Sequence, residues 1–202
     1  MAGAVQIALL RAVMPTGKNK VPMAVLRTTL AGLGFTDVRT ILASGNAIFR
    51  SPGPAGPELE SILEDAIAKH IGPRLDVLVR DASAWARIVA GNPFPDDSAA
   101  IPSRVLATVF KTAPNGEAAL AFEAAVTGPE RARFVGDVLW AVYPEGVAGS
   151  NLTPAFFKRH LGPLVGTARN WNTVRKLQEV AFGMAEVGPP WGERVDRFSR
   201  PV

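Results

Sequence analysis

The chain contains no cysteine at all. A disulfide framework, a thiolate nucleophile and a cysteine-based metal or iron–sulfur site are therefore excluded. The sequence has only two histidines, His70 and His160, and these leave little for a metal site built from imidazoles. We accordingly expect no bound metal and no cofactor.

Long hydrophobic runs are also absent, since no segment approaches the roughly 18 consecutive apolar residues of a membrane helix. Residues 1–10 are apolar, but they lack a basic leading region and continue directly into Arg11. This pattern is typical of a buried strand and differs from that of a signal peptide. We therefore expect no membrane partner and a cytoplasmic location.

An excess of one charge is likewise missing, because the net charge is only +4 and acids are interspersed with the basic residues. A dedicated nucleic-acid protein usually concentrates its basic residues on one face or in one run. Sheets that bind RNA also present aromatic rings on their central strands, and residues 5–11 contain none. Nucleic acid is therefore a disfavoured partner, although the pattern leaves it open.

What the sequence does contain is a core-forming pattern, with 48% hydrophobic residues. In the first half, apolar strands are predicted at residues 5–11, 38–42, 47–50 and 75–79. Apolar residues spaced three and four apart predict two helices, one beginning near Pro22 and one over residues 59–67. The resulting order, β-α-β-β-α-β, indicates a ferredoxin-like unit. Asp81 or Ser83 then begins a further helix.

The pattern restarts after a Pro- and Asp-containing segment. A strand at residues 105–110, a helix and a hairpin across Gly136-Asp137 follow in the same order. Beyond Tyr143 the prediction diverges, with one helix that Ser150 or Asn151 begins and a last helix over residues 172–182. The fold class is α+β, with two ferredoxin-like halves, a structural duplication and extra C-terminal helices. The predicted units are a first half (1–94), a linker (95–104), a second half (105–187) and a loosely ordered tail (188–202).

Two loops in the first half carry polar residues that suit an anion. Gly17-Lys18-Asn19-Lys20 precedes a predicted helix, whose free N–H groups attract negative charge. It matches neither a P-loop nor a dinucleotide fingerprint, and a solvated basic loop is the alternative. Ser44-Gly45-Asn46 is either a tight turn or a hydroxyl and a carboxamide presented at a sheet edge. Each histidine lies at a helix end, which suits a partner of the helix dipole better than a base for Ser44.

The third polar segment, residues 167–173, contains two hydroxyls, a cation, two carboxamides and Trp171. Thr167, Asn170 and Asn172 compete to cap the last predicted helix. Trp171 is either a core residue or an interface anchor. Arg169 next to a helix N-terminus would oppose the helix dipole. It therefore calls for a negative partner, either a carboxylate of the protein or a bound anion.

Taken together, residues 8–46 and residues 167–173 resemble the two signatures of the family called domain of unknown function 1697. The similarity extends over about residues 4–182 and includes the tripeptide Asn92-Pro93-Phe94. It implies a bacterial α+β protein of two similar halves and no established activity. The residues that stand in matching positions are Arg11, Lys18, Asn19, Ser44, Asn46, Arg169, Asn170 and Asn172.

The first loop departs from this family. Where the family usually reads R-G-I-N-V-G-G, residues 11–17 have Ala12, Met14 and Thr16 in place of a glycine, an asparagine and a glycine. If the loop holds a ligand through its backbone N–H groups and that asparagine, the ligand is bound differently here or not at all.

The leading hypothesis is a protein that binds a small anionic ligand, such as a nucleotide or phosphorylated metabolite, in a cleft between the halves. Arg11, Lys18 and Arg169 would neutralise the anion, and the matching Ser and Asn residues would orient it. The alternatives are a nucleic-acid-binding protein and an interaction or oligomerisation module that uses Trp171. No nucleophile–base pair is evident, so an enzyme is neither indicated nor excluded, and the oligomeric state is left open.

Overall fold

The computed structural model describes residues 3–186, and the predicted tail at 188–202 lies outside them. The first half has the order β-α-β-β-α-β that its sequence predicts. Its elements are β1 (Ala4–Leu10), α1 (Met23–Gly32), β2 (Thr36–Thr40), β3 (Asn46–Ser51), α2 (Gly56–His70) and β4 (Val77–Asp81). The four strands form an antiparallel sheet in the order β2-β3-β1-β4.

Between the halves lie α3 (Ala82–Ala90), α4 (Pro95–Ala100) and a 3-10 turn at Pro102–Arg104. The Asp81 carboxylate accepts a hydrogen bond from the Ala84 N–H and caps α3, so the predicted helix and one of its two candidate caps are confirmed. The segment predicted as a linker at 95–104 is mostly helical, because Pro95 occupies the first turn of α4, where its missing N–H does no harm.

The second half repeats the same strand order in its own sheet, β6-β7-β5-β8, again antiparallel throughout. Its elements are β5 (Val105–Phe110), α5 (Gly116–Ala125), β6 (Arg131–Val135), β7 (Val138–Val142), α6 (Pro154–Leu161), β8 (Gly166–Asn170) and α7 (Trp171–Glu186). The described residues thus form an α+β fold with two four-stranded antiparallel sheets and seven helices, in two similar halves.

Two details of the second half differ from the sequence prediction. Residues 166–170 form β8, so the half does not diverge after Tyr143 but completes a fourth strand. The strand is held by pairing along the whole of β5. Helix α6 begins later than predicted because the Thr153 side chain caps it through the Phe156 N–H, whereas the Ser150 hydroxyl accepts from the Leu152 N–H in the preceding loop.

Each sheet buries one face under its own pair of helices, as the period-two alternation of strands requires. On β1, Ala8 and Leu10 pack with the stripes of α1 and α2. On β5, Leu106 and Phe110 pack in a separate cluster with residues of α5 and α6. These clusters form the two outer cores of the molecule.

The other face of each sheet contributes to one shared central core. Ile7 and Leu9 of β1 belong to the same buried cluster as Ala107 and Val109 of β5. Helices α3 and α7 fill this core, and the Trp85 Nε1 on α3 donates to the Val174 carbonyl on α7 at 3.1 Å. The halves are therefore joined by a hydrophobic interior as well as by the connecting chain.

A group of charged side chains also spans the two halves. Arg80 of β4 donates to the Phe110 carbonyl at 2.6 Å and pairs with Asp137 at 3.2 Å. Lys111, directly after β5, pairs with Glu60 at 3.7 Å and with Glu64. These contacts fix the second sheet against α2 and β4. Among the described residues, no helix is long and apolar enough to cross a membrane.

Candidate functional site

The turn between β2 and β3 is built around the carboxamide of Asn46, which is completely buried. Its Nδ2 donates to the Ile41 carbonyl and to the Ser44 hydroxyl oxygen, both at 2.9 Å. Its Oδ1 accepts from the Arg169 Nε at 2.5 Å. Every polar atom of this side chain is thus engaged, as burial requires. Ser44 itself is exposed.

Arg169 connects this turn to the second half. From β8, its Nη2 donates to three backbone carbonyls of the first half: those of Leu10 at 2.9 Å, Ser44 at 3.2 Å and Gly45 at 3.3 Å. Two of the three polar segments predicted from the sequence therefore meet here: the turn with Ser44 and Asn46, and the segment 167–173 with Arg169.

The remaining guanidinium nitrogen, Nη1, donates within β8, to the Thr167 hydroxyl at 2.8 Å and the Ala168 carbonyl at 2.9 Å. Burial lowers the pKa of Arg169 to about 10, so the side chain still carries its charge at neutral pH. Among the described residues, no carboxylate forms an ion pair with Arg169, and a bound anion as its partner stays a prediction. Arg169 is a residue of β8 and directly precedes Asn170 at the start of α7, and carbonyl, hydroxyl and carboxamide oxygens surround its charge.

The first loop packs closely against the same turn. Gly45 has a positive φ of 75°, and a Cβ at this position would lie 2.6 Å from a methyl group of Val13. Only glycine therefore fits without displacing the loop. Ala12 also has a positive φ of 57°, a conformation that L-residues seldom adopt. The backbone at Ala12 thus has a conformation that suits glycine, the residue that the family resemblance implies at this place.

The other predicted residues of this loop lie at its surface. Lys18 is exposed, and the Asn19 Nδ2 donates to the Ala12 carbonyl at 3.3 Å. Arg11 is 47% exposed and its Nη1 pairs with Asp76 at 3.0 Å. Asn19 thus contributes to holding the loop, while the two cations are accessible to solvent.

The end of the polar segment begins α7. Asn170 is the cap, since its Oδ1 accepts from both the N–H and the hydroxyl of Thr173, at 3.0 and 2.9 Å. Asn172 is exposed in the first turn. Trp171 is half-buried and packs edge-on against Trp140 with ring centroids 5.7 Å apart, so it contributes to the core.

Both histidines occupy the last turns of helices, as predicted. The ring of His160 lies against the ring of Phe156, with centroids 4.4 Å apart. In the described part of the chain, no group of three or more His, Cys, Asp and Glu side chains is placed to hold a metal ion.

A cavity of about 580 Å³ opens next to this junction, on the outer face of the second sheet. Its floor is formed by side chains of β5 and β8, and its walls by α6 and the two loops that flank it. The apolar lining includes Leu106, Phe110, Leu152, Phe157, Leu164 and Val165. The volume is within the range of about 300–1,000 Å³ that is typical of small-molecule sites.

Two cations border the cavity, Arg11 from the first half and Lys158 from α6. Among residues 3–186, no aspartate or glutamate lines it. Tyr143 and Thr108 add hydroxyl groups to the lining. Burial, and to a lesser extent the nearby Glu130 carboxylate, raises the pKa of Tyr143 to about 12, so its hydroxyl stays protonated and able to donate.

The shape of the cavity depends on a close approach at Gly166. A Cβ at this position would lie 2.7 Å from the ring of Phe110 on the neighbouring strand. Glycine therefore lets the Phe110 ring lie over β8 at the floor of the cavity. Glu130 fixes the loop on the other side, since it accepts from the Asn151 N–H at 3.1 Å, and a hydrogen bond from the Ser150 side chain lowers its pKa.

Of the eight residues predicted from the sequence, Arg11 lines this cavity, and Asn46, Ser44 and Arg169 form the junction beside it. Sequence reasoning missed Lys158 and Tyr143. The available signal was weak: Lys158 follows Phe156-Phe157 in a short helix, and Tyr143 is the only tyrosine of the chain.

Three comparisons place the chain among known proteins. The family described as "Protein of unknown function (DUF1697)" matches residues 4–140. The conserved bacterial protein SP0830 from Streptococcus pneumoniae has a similar structure, with a TM-score of 0.68 at 22% sequence identity over 88% of this chain and 98% of that one. At that identity the likeness shows the fold alone. Among proteins with curated descriptions, none matches this sequence.

Proposed function

Since this chain belongs to the DUF1697 family, whose description assigns no activity, we propose a function from its geometry: it binds a small anionic ligand, such as a nucleotide or phosphorylated metabolite, next to the junction of its halves. The observation that carries the proposal is the cavity of about 580 Å³, which Arg11 and Lys158 border and no carboxylate lines among the described residues. Such a cavity attracts anions, because its low-dielectric walls strengthen the field of the two cations.

In this proposal Arg11 and Lys158 neutralise the ligand, and the hydroxyls of Tyr143 and Thr108 orient it. Arg169 acts indirectly, without contacting the ligand. It holds the Leu10 carbonyl, and so fixes the position at which Arg11 leaves β1.

The remaining predicted site residues have supporting roles in the proposal. Asn46, Ser44 and Asn19 shape the two loops next to Arg11, and Asn170 fixes the start of α7. Lys18 and Asn172 are exposed and stay predicted as ligand contacts.

The test is ligand identification by native mass spectrometry of the purified protein, followed by thermal shift with AMP, inorganic phosphate and a set of carboxylates and sugar phosphates. A true ligand at 100 times its Kd stabilises the folded protein by about 2.7 kcal/mol. The variants Arg11→Gln and Lys158→Gln should weaken binding. Arg159→Gln, on the exposed side of the same helix, should not. If no anion stabilises the protein, or if all three variants bind alike, the proposal is wrong.

Nucleic-acid binding is the alternative that the same experiment can address. The inner face of each sheet is covered by the central core, and the outer faces are covered by α1 and α2 or by α5 and α6, except where the cavity leaves part of β5 and β8 open. This covering supports the prediction that RNA does not stack on the sheets. Measurable affinity for RNA or DNA that falls steeply with salt would revive the alternative.

We also propose that each half is a ferredoxin-like unit and that the two arose by duplication. The support is the shared strand order, β2-β3-β1-β4 and β6-β7-β5-β8. The proposed units are residues 1–94 and 105–187, connected by 95–104. A cytoplasmic location and a bacterial source are proposed as well, the second because the similar structure is bacterial.

A further inference from the structure

The walls of the cavity are much more apolar than a phosphate-rich ligand needs. Apolar side chains such as Leu106, Phe110 and Phe157 form most of the lining, and only four lining residues have polar side chains: two cations and two with a hydroxyl group. A nucleotide would bury the hydrogen-bonding edges of its base against these walls without partners, which is unfavourable. An apolar ligand body, by contrast, is stabilised when it leaves water and packs against these walls.

The net charge around the cavity points to a ligand with a single negative charge. Arg11 and Lys158 bring two positive charges, but Asp76 pairs with the Arg11 Nη1 at 3.0 Å and compensates one of them. Within the described residues, Arg11 Nε and Nη2 have no other partner, and Lys158 takes part in no ion pair. Glu130 lies near Tyr143, but it does not line the cavity and forms no ion pair among the described residues. Among the lining residues and Asp76, one uncompensated positive charge therefore remains for the ligand.

The volume limits the size of the ligand. A cavity of about 580 Å³ has room for on the order of 15–20 heavy atoms, if each takes roughly the share of a water molecule in the liquid. A medium-chain carboxylate or an aromatic acid fits this limit.

We propose that the ligand is an amphipathic monoanion, that is, a carboxylate on an aliphatic or aromatic body. This inference rests on the proposed function of the same cavity. The apolar body lies against β5 and β8, over Leu106 and Ala168. The carboxylate lies at the rim, where Arg11 and Lys158 reach it, and Tyr143 can donate a hydrogen bond to it.

Decanoate, 1-decanol and AMP are suitable probes, since they separate the carboxylate, the apolar body and the phosphate. Binding to the full chain is measured by isothermal titration calorimetry. We expect decanoate to bind at least tenfold more tightly than either 1-decanol or AMP. Arg11→Gln or Lys158→Gln should weaken decanoate about tenfold, the effect of one charge-assisted contact, and leave 1-decanol unchanged.

Ala168→Trp is the variant that fills the cavity. Ala168 is exposed on β8 and lines the floor, so a large aromatic side chain occupies ligand space with little effect on folding. It should abolish decanoate binding while the thermal midpoint of the unliganded variant stays near that of the parent. Arg159→Gln is the control for charge and should bind decanoate like the parent.

The outcomes separate this inference from the proposed function. If AMP or inorganic phosphate binds more tightly than decanoate, and Ala168→Trp abolishes that binding, the anion site stands and the amphipathic ligand is wrong. If decanoate and 1-decanol bind equally and neither charge variant matters, recognition is purely apolar and the inference fails. If no anion binds at all, both fail together.

Discussion

Arg169 should be among the most important residues for the stability of this protein, although no carboxylate among the described residues pairs with it. The perturbation is Arg169→Met, which keeps an unbranched apolar stem and removes the guanidinium. Six oxygens now accept from this group, four of them on the first half. The variant removes the donors and leaves these acceptors in the interior.

The expected loss of unfolding free energy depends on which of these acceptors still have another donor in the variant. Gly45 keeps one, since its carbonyl also accepts from the Leu10 N–H at 2.8 Å. The Asn46 Oδ1 accepts from no other donor among the described residues and is completely buried. Each buried acceptor that loses its partner costs about 1–3 kcal/mol. With Asn46 and the Leu10 carbonyl both affected, we expect a loss of about 2–6 kcal/mol, from a total of roughly 5–15 kcal/mol.

The assay is urea unfolding at pH 7, followed by tryptophan fluorescence and far-UV circular dichroism to verify that both transitions coincide. Arg159→Met, at an exposed position of α6, is the matched control and should change stability by no more than about 0.5 kcal/mol. Arg169→Lys should lose less stability than Arg169→Met, because its ammonium keeps the charge and three donors. It should still be less stable than the parent, since the guanidinium has five donors.

A double-mutant cycle tests the mechanism itself. If Arg169 stabilises the fold through Asn46, then Asn46→Ala and Arg169→Met should be non-additive, with a coupling energy of about 0.5–3 kcal/mol. A loss below about 1 kcal/mol for Arg169→Met, or additive effects of the two changes, would refute the reasoning.

Two further predictions concern the backbone. Asp81→Ala should cost about 1 kcal/mol, because α3 loses its cap. Hydrogen bonding to the Ala84 N–H lowers the pKa of Asp81 below 3.8. The parent should therefore be more stable than Asp81→Ala by the full amount above pH 3.8, and this difference should disappear as the pH falls through the lowered pKa. Asp81→Asn should cap the helix at all pH values. Ala12→Gly should stabilise the protein by up to about 1 kcal/mol, since φ is +57° there. Ala24→Gly, in the exposed part of α1, is the control and should destabilise the protein by a similar amount. Both variants are measured by the midpoint of urea unfolding. A loss of stability for Ala12→Gly would contradict the prediction.

The elements that could be predicted from the sequence are those with a strong apolar period or a local cap. Residues 5–10 form β1 because a continuous apolar run suits a strand buried on both faces, and five of these six residues lie in the outer or central cores. Helix α3 follows its cap at Asp81 for the same local reason. In these places local preference and tertiary packing agree.

Strand β8 could not be predicted, because Gly-Thr-Ala-Arg-Asn has almost no strand preference of its own. Its conformation depends on β5, with which it pairs from Leu106↔Asn170 to Phe110↔Gly166. The guanidinium of Arg169 adds bonds to residues more than 120 positions away. Both contributions come from residues that are distant in the sequence.

The candidate site, too, could be predicted from the sequence only in part. The sequence predicts that Arg169, Ser44 and Asn46 matter together, since polar residues in a plain core stand out. It does not reveal that the acceptors for Arg169 include backbone carbonyls, because every residue has one. It also does not reveal the cavity, whose walls are ordinary apolar residues such as Leu164 and Val165.

The central position of α7 has a consequence for how the protein is made. Val174, Leu177 and Met184 complete a core to which β1 contributes Ile7 and Leu9. At a synthesis rate of about 5–20 residues per second, the inner face of the first sheet waits on the order of 5–20 seconds after β4 emerges before this helix exists. During translation α3 is the only one of the two helices that can cover this face, and a chaperone that binds nascent chains would find an apolar surface there.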